Sequence, residues 1–218
     1  MSSIKITEES LSELRERVRP YMNDKRFAHT LGVERECVAL GSILLPEKVN
    51  DLRAAALLHD ITKMLSLEKQ LKLCALFDII YGNSDILSPK LFHAKTASEL
   101  IKRDFPEFAD DEIVSAVRWH TTGRRGMTLF ESILYLADYI EDTRTFPDCV
   151  ELRSFFWDSY NADRSDLKRI FMKTMIRSFD MTIAGLISDG APIDKDTVDA
   201  RNYFLESWWE NDNELHQS

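Results

Sequence analysis

His59, Asp60 and Lys63 close the run Ala54-Ala55-Ala56-Leu57-Leu58-His59-Asp60-Ile61-Thr62-Lys63. An imidazole and a carboxylate side by side at the end of an apolar helix can share one metal ion. On a continuing helix His59 and Asp60 lie about 100° apart. Lys63 follows one by four residues and the other by three, so it stands over the same face. An ammonium group there can meet an anion bound to the metal. Asp60 and Lys63 are therefore the candidate catalytic pair.

The elements that must position these groups are helical. With seven glycines and six prolines in 218 residues, the chain lacks the turns of an all-β domain. No run alternates apolar and polar residues. The expected class is all-α. Thr7 caps a first helix, stopped near Pro20. A second runs from about Asp24 to Leu44, with His29, Val33, Cys37 and Leu40 on one stripe. The organising run lies on a third. A fourth is expected over Leu65–Tyr81, closed by Gly82-Asn83. Ser88-Pro89 opens a fifth, where His93 shares a face with Ala97, Leu100 and Ile101. Asp110 caps a sixth that ends at His120. Thr128 and Glu131 form a capping box for a seventh carrying Asp138. A long helix over about Asp166–Ser188 and a last one from Asp196 through Trp208-Trp209 complete the chain. The expectation is one domain over 1–218, with a metal-binding core at about 20–145 and C-terminal helices at about 150–210.

Four of the five histidines, His29, His59, His93 and His120, thus fall on the inner faces of four helices. Asp60 and Asp138 join them. Six such groups are hard to bury without something charged to pair with. A metal centre is the economical answer. Nitrogen and oxygen donors without thiolate suit iron, manganese, cobalt or zinc. Six ligands exceed what one metal takes while leaving room for substrate, so two metals sharing a carboxylate fit better, roughly 3.5–4 Å apart.

The order His29, His59-Asp60, His93, His120, Asp138 resembles the six-ligand HD-domain metallophosphohydrolases. Within them, Arg26-Phe27-Ala28-His29-Thr30-Leu31-Gly32-Val33, His120-Thr121-Thr122-Gly123-Arg124, Leu136-Ala137-Asp138-Tyr139-Ile140-Glu141 and Asp199-Ala200-Arg201-Asn202 resemble the YqeK family. The resemblance covers about residues 20–205. It implies an HD-type helical bundle with additional C-terminal helices. The implied activity is symmetrical hydrolysis of diadenosine tetraphosphate to two ADP by a metal-bridging hydroxide. The implied cofactor is a pair of metal ions, iron first, with manganese or cobalt accepting the same donors. His29, His59, Asp60 and Asp138 would hold one metal. Asp60, bridging, would hold the other with His93 and His120. This chain departs from the family where Asp142 rather than proline follows Glu141, and at Ile193-Asp194-Lys195.

A polyphosphate substrate asks for cations and N–H donors. Lys63 is placed to bind the transferring phosphoryl group. Arg26, Arg124 and Arg144 flank the ligands in sequence, and guanidinium suits phosphate. Thr121, Thr122 and Gly123 follow His120 in a turn able to offer hydroxyl and N–H groups. Phe155, Phe156, Trp157 and the pair Trp208-Trp209 are aromatic groups of the kind that stack a base, but such clusters are more often core.

A formal charge of −9 and a pI of about 5.1 argue against a partner nucleic acid or an anionic membrane met by the whole surface. No apolar stretch approaches the ~20 residues of a membrane span. Three scattered cysteines suit a reducing cytoplasm. The partner is then a small nucleotide, and a homodimer through the C-terminal helices is one expectation. Two alternatives stay open. One is another HD phosphohydrolase, acting on a cyclic dinucleotide or a nucleoside mono- or triphosphate. The other is a non-catalytic nucleotide sensor.

Overall fold

The computed structural model describes residues 5–216, with side chains through 208. Among the described residues there are eleven α-helices and no strand. They are α1 Glu8–Val18, α2 Asp24–Leu44, α3 Val49–Leu58, α4 Leu67–Leu76, α5 Asn83–Leu87 and α6 Phe92–Asp104. Then follow α7 Asp111–Trp119, α8 Leu129–Ile140, α9 Pro147–Ala162, α10 Leu167–Ser188 and α11 Lys195–His216.

Capping chemistry sets several boundaries. Thr7 caps α1 and Asn23 caps α2, each accepting a backbone N–H of the first turn. Thr128 and Glu131 close a reciprocal box at the start of α8. The core is the set of inward stripes these helices share. Leu11, Leu14 and Val18 of α1 meet Val33, Cys37 and Leu40 of α2 and the fully buried run Leu52–Leu58 of α3, apart from Arg53. Ile113, Ala116 and Val117 of α7 and Ile133–Ala137 with Ile140 of α8 extend it. Inside the bundle α2 packs on α3 and α8, and α7 on α6 and α8. Helices α9, α10 and α11 form a second layer through Phe156, Phe179 and Phe204, and α10 rests on α8.

Four stretches differ from the sequence expectation. First, α3 stops at Leu58, so His59 through Lys63 are not helical. They turn by i→i+3 hydrogen bonds instead: Ile61 N–H to Leu58 C=O and Lys63 N–H to Asp60 C=O. Second, the helix expected over Leu65–Tyr81 spans only Leu67–Leu76. Ser66 is its cap, Asp78 takes φ +53°, and Asn83 opens α5 rather than closing α4. Third, Pro147–Ala162 is a separate helix, opened by a proline at its first position. The last helix also continues past Trp209 to His216.

Candidate metal centre

Six side chains converge where α2, α6, α7 and α8 meet the turn after α3. His29 comes from the second turn of α2 and His93 from the first turn of α6. His59 and His120 are the residues that terminate α3 and α7. Asp138 sits in the last turn of α8. His59, Asp60, His93 and His120 are all at most 2% exposed.

All four imidazoles are oriented in the same way. His59 Nδ1 donates to Ala56 C=O at 2.6 Å, His93 Nδ1 to Lys90 C=O at 2.5 Å and His120 Nδ1 to Val117 C=O at 2.7 Å. Each acceptor is three residues back, as the helical turn dictates. A carbonyl can only accept, so each Nδ1 holds the proton and each Nε2 presents a lone pair. His29 Nδ1 meets the fully buried Glu141 carboxylate at 2.9 Å. The four Nε2 atoms point into one space. His93 Nε2 and His120 Nε2 are 3.0 Å apart.

Asp60 divides its two oxygens between the halves of this cluster. Oδ1 lies 3.1 Å from His93 Nε2 and 3.8 Å from His120 Nε2. Oδ2 lies 3.3 Å from His59 Nε2 and 3.8 Å from His29 Nε2. Asp138 Oδ1 completes the second half, 2.9 Å from His29 Nε2 and 3.8 Å from His59 Nε2. Two groups, His29–His59–Asp138 and His59–Asp60–His120, have ligand atoms mutually within 4.8 Å.

The residues fit a divalent metal, and buried atoms without a partner say so. His29 Nε2, His59 Nε2 and Asp60 Oδ1 have no hydrogen-bond partner. Opposed lone pairs and carboxylates in a dry site call for a cation. The electrostatics answer in the same sense. Burial pushes His29 down, but the Asp138 and Glu141 carboxylates and the charge of Asp60 outweigh it and raise its pKa to about 9. Its proton stands where a cation belongs. Asp60 and Asp138 are held well below the usual carboxylate range. Burial opposes this, but the surrounding histidines and, at Asp138, Arg144 overcome it. Burial drives His120 well down, reinforced by the charges of His93 and His59, which keeps it a neutral donor.

Beside the cluster opens a cavity of about 410 Å³, lined by Lys25, Arg26, His29, Lys63, Glu141, Arg144 and Phe146 among others. Lys63 Nζ is 3.2 Å from His93 Nε2, so the turn geometry delivers the lysine although the helix does not continue. Arg26 Nη1 bonds Asp60 Oδ2 and Arg144 Nη2 bonds Asp138 Oδ1, both at 2.7 Å. The remaining expected phosphate contacts lie elsewhere. Arg124 does not line the cavity; its guanidinium bonds Glu131, the capping residue of α8, at 3.0 Å. Thr122 Oγ1 donates to Gly123 C=O. Gly123, at φ +64°, closes the turn that follows α7, with its N–H on Trp119 C=O, and lies against Phe179 and Ala200 of the second layer. None of Thr121, Thr122 and Gly123 lines the cavity.

The aromatic candidates are occupied as well. Phe156 is fully buried, Trp157 Nε1 donates to Glu36, Phe155 lies under Arg177 and Trp208 under Arg169 and Lys173. The Trp209 side chain is outside the described residues.

Sequence reasoning passed over Glu141 and Gly32. Glu141 follows Asp138 by three residues, and that spacing is the available signal for a carboxylate reaching the same centre. Gly32 follows His29 by three on α2, and a Cβ there would meet Glu141 Oε2 at 2.1 Å. The glycine makes room for the carboxylate that holds His29.

This fold and centre define the class. The HD-domain family model matches residues 26–143, which span every residue of the cluster, and the chain belongs to that family. A solved HD superfamily hydrolase from Clostridium acetobutylicum, described as involved in NAD metabolism, is 32% identical. It superposes with a TM-score of 0.77 over 90% of this chain and 97% of its own. Relatives named symmetrical bis(5'-nucleosyl)-tetraphosphatase bear out the YqeK-type resemblance. The Bacillus subtilis protein is 29% identical, covering 86% of this chain and 94% of its own. The Halalkalibacterium halodurans protein is 28% identical, covering 86% and 93%.

Proposed function

We propose that the chain is a metal-dependent hydrolase that cleaves dinucleoside tetraphosphates symmetrically, turning diadenosine tetraphosphate into two ADP. The observation that carries this is the common orientation of the four imidazoles. Each Nδ1 is committed to an acceptor and each Nε2 faces a shared carboxylate, beside a cavity lined with cations. The names of the relatives supply the substrate.

In this reading His29, His59, Asp60 and Asp138 hold one metal, and Asp60, His93 and His120 hold a second. Iron is the first choice, with manganese or cobalt accepted by the same donors. Bound metals of this kind supply a water acidified to near neutral pH and Lewis acidity toward a phosphoryl oxygen. The chain's own residues do the rest. Lys63 sets an ammonium beside His93 and offsets charge on the phosphoryl group. Arg26 and Arg144 each spend one N–H on a carboxylate and keep others for phosphate. Burial at the bottom of the cavity strengthens these contacts.

The test is a product assay. The iron-loaded protein is incubated with diadenosine tetraphosphate and the nucleotides are separated by anion exchange. ADP as sole product, lost on metal removal, is expected. AMP with ATP moves cleavage off the centre of the chain of phosphates. No turnover by protein shown to hold both metals rejects the substrate.

A further inference from the structure

The cavity beside the metal centre has one wall that phosphate chemistry does not explain. Arg26, Lys63, Arg144 and, further out, Lys25 are cations. Phe146 lines the same cavity and is 65% exposed, an aromatic ring set in water among positive charges. A solvent-facing phenyl ring has no electrostatic business with a phosphate. It is suited to the flat, apolar part of a ligand whose anionic part the cations hold.

The ring is presented on a segment tied down at many points. Arg153 donates to Ile140 C=O and Glu141 C=O at 2.5 Å, and to Arg144 C=O at 2.7 Å. Thr143 gives both its N–H and its hydroxyl to the Glu141 carboxylate at 2.7 Å. Arg144 is anchored to Asp138. Pro147 follows Phe146 and holds it in the extended region, at φ −63° and ψ +140°. A backbone fixed before the ligand arrives leaves only the ring's own rotation to be ordered on binding. No other described aromatic side chain named as a stacking candidate lines this cavity.

We propose that Phe146 is the base-stacking residue of a nucleoside subsite, and that the cavity admits a nucleoside diphosphate with its phosphates inward and its purine on the ring. This deepens the function proposed above and rests on it for the choice of nucleotide. The subsite makes the protein selective for a nucleotide over an inorganic polyphosphate of equal charge.

The experiment compares Phe146→Ala, Phe146→Trp and the parent, all metal-loaded. Titration calorimetry is run with two probes, ADP and inorganic pyrophosphate. Stacking of one base on an aromatic side chain corresponds to about tenfold in affinity or more. Phe146→Ala is expected to weaken ADP by that factor and to leave pyrophosphate unchanged, and Phe146→Trp to keep ADP binding. Turnover of the dinucleoside substrate is expected to show a raised KM with kcat within about twofold. Two results overturn the proposal: equal ADP affinity in Phe146→Ala and the parent, or equal loss for both probes, which makes the ring a support of its loop. The underlying function fails separately. A parent protein that makes no ADP from diadenosine tetraphosphate, yet binds ADP in a Phe146-dependent way, loses the reaction and keeps the subsite.

Discussion

Replacing Gly32 by alanine tests whether the Glu141 carboxylate is held in place for His29. In an exposed helix interior, glycine to alanine stabilises by roughly 1 kcal/mol. Here the added methyl would lie 2.1 Å from Glu141 Oε2 and 3.0 Å from its Cδ. The carboxylate must retreat by about 1 Å to restore van der Waals contact. It is fixed by the His29 Nδ1 contact at 2.9 Å and by two contacts to Thr143 at 2.7 Å. Oε2, the oxygen the methyl meets, accepts from Thr143 N–H, and Oε1 holds His29 and the Thr143 hydroxyl, so a retreat of that size breaks at least the Thr143 N–H bond and stretches the one to His29. Hydrogen bonds to a charged group contribute about 1.5–3 kcal/mol each. Losing one or two of them outweighs the helix gain, so Gly32→Ala is expected to be destabilising by about 2 kcal/mol. A His29 ring whose carboxylate anchor is displaced should also lose metal affinity, by up to about 10–100-fold, the usual cost of losing a histidine's outer partner. Urea unfolding of the metal-stripped protein reads the first effect, and competition with a chelator of known affinity reads the second. A Gly32→Ala variant more stable than the parent by about 1 kcal/mol, with unchanged metal affinity, would refute the reasoning.

Three further outcomes are expected. Glu36, half-buried against Trp157, is pushed up to about 7 by burial, which the Trp157 N–H only partly offsets. A carboxyl with a raised folded pKa contributes stability that is present below the unfolded value of about 4.5 and is lost as pH climbs through 7. Glu36→Gln keeps the acceptor and should match the parent near pH 4.5. It should exceed the parent above pH 8 by up to about 3 kcal/mol, read from denaturant midpoints across pH. Glu34, buried between Arg15 and Arg53, joins α2 to α1 and α3. Glu34→Ala leaves the half-buried Arg15 guanidinium without its carboxylate and Arg53 with Glu8 as its one remaining carboxylate, and should cost about 3 kcal/mol by urea unfolding. Gly123→Ala places a methyl 2.8 Å from the Phe179 ring at φ +64°, so strain and overpacking add. A loss of about 2 kcal/mol or more is expected in thermal unfolding, with metal affinity unaltered because His120 Nδ1 stays on Val117 C=O.

Much of the fold is legible in the sequence because helices announce themselves locally. The caps at Thr7, Asp110 and Thr128 are local hydrogen-bonding facts, and the apolar stripes of α1, α2, α7 and α8 recur at helical spacing. The same periodicity puts His29, His93, His120 and Asp138 on inward faces, so the sequence by itself determines the all-α class and the membership of the cluster. It misjudges the stretch after α3. The apolar run there is compatible with a continuing helix, and only packing shows that His59 ends the helix, with i→i+3 turns carrying Asp60 and Lys63 to the centre. The same limit applies to α4, where a positive φ at Asp78 cuts short a pattern that reads as helical to Tyr81.

What tertiary structure alone decides is orientation and company. Spacing cannot say which nitrogen of a histidine faces inward; the carbonyls of Ala56, Lys90 and Val117 settle that through hydrogen bonds. Sequence proximity suggested both Arg124 and Arg144 as phosphate ligands. The fold gives Arg124 to Glu131 and leaves Arg144 at the cavity. Glu141 and Gly32 are 109 residues apart in the sequence numbering, and only the packing of the end of α8 against α2 makes the absent side chain of one the space for the other. Local propensity is written along the chain, whereas contacts between distant segments arise only when hydrophobic burial brings the helices together.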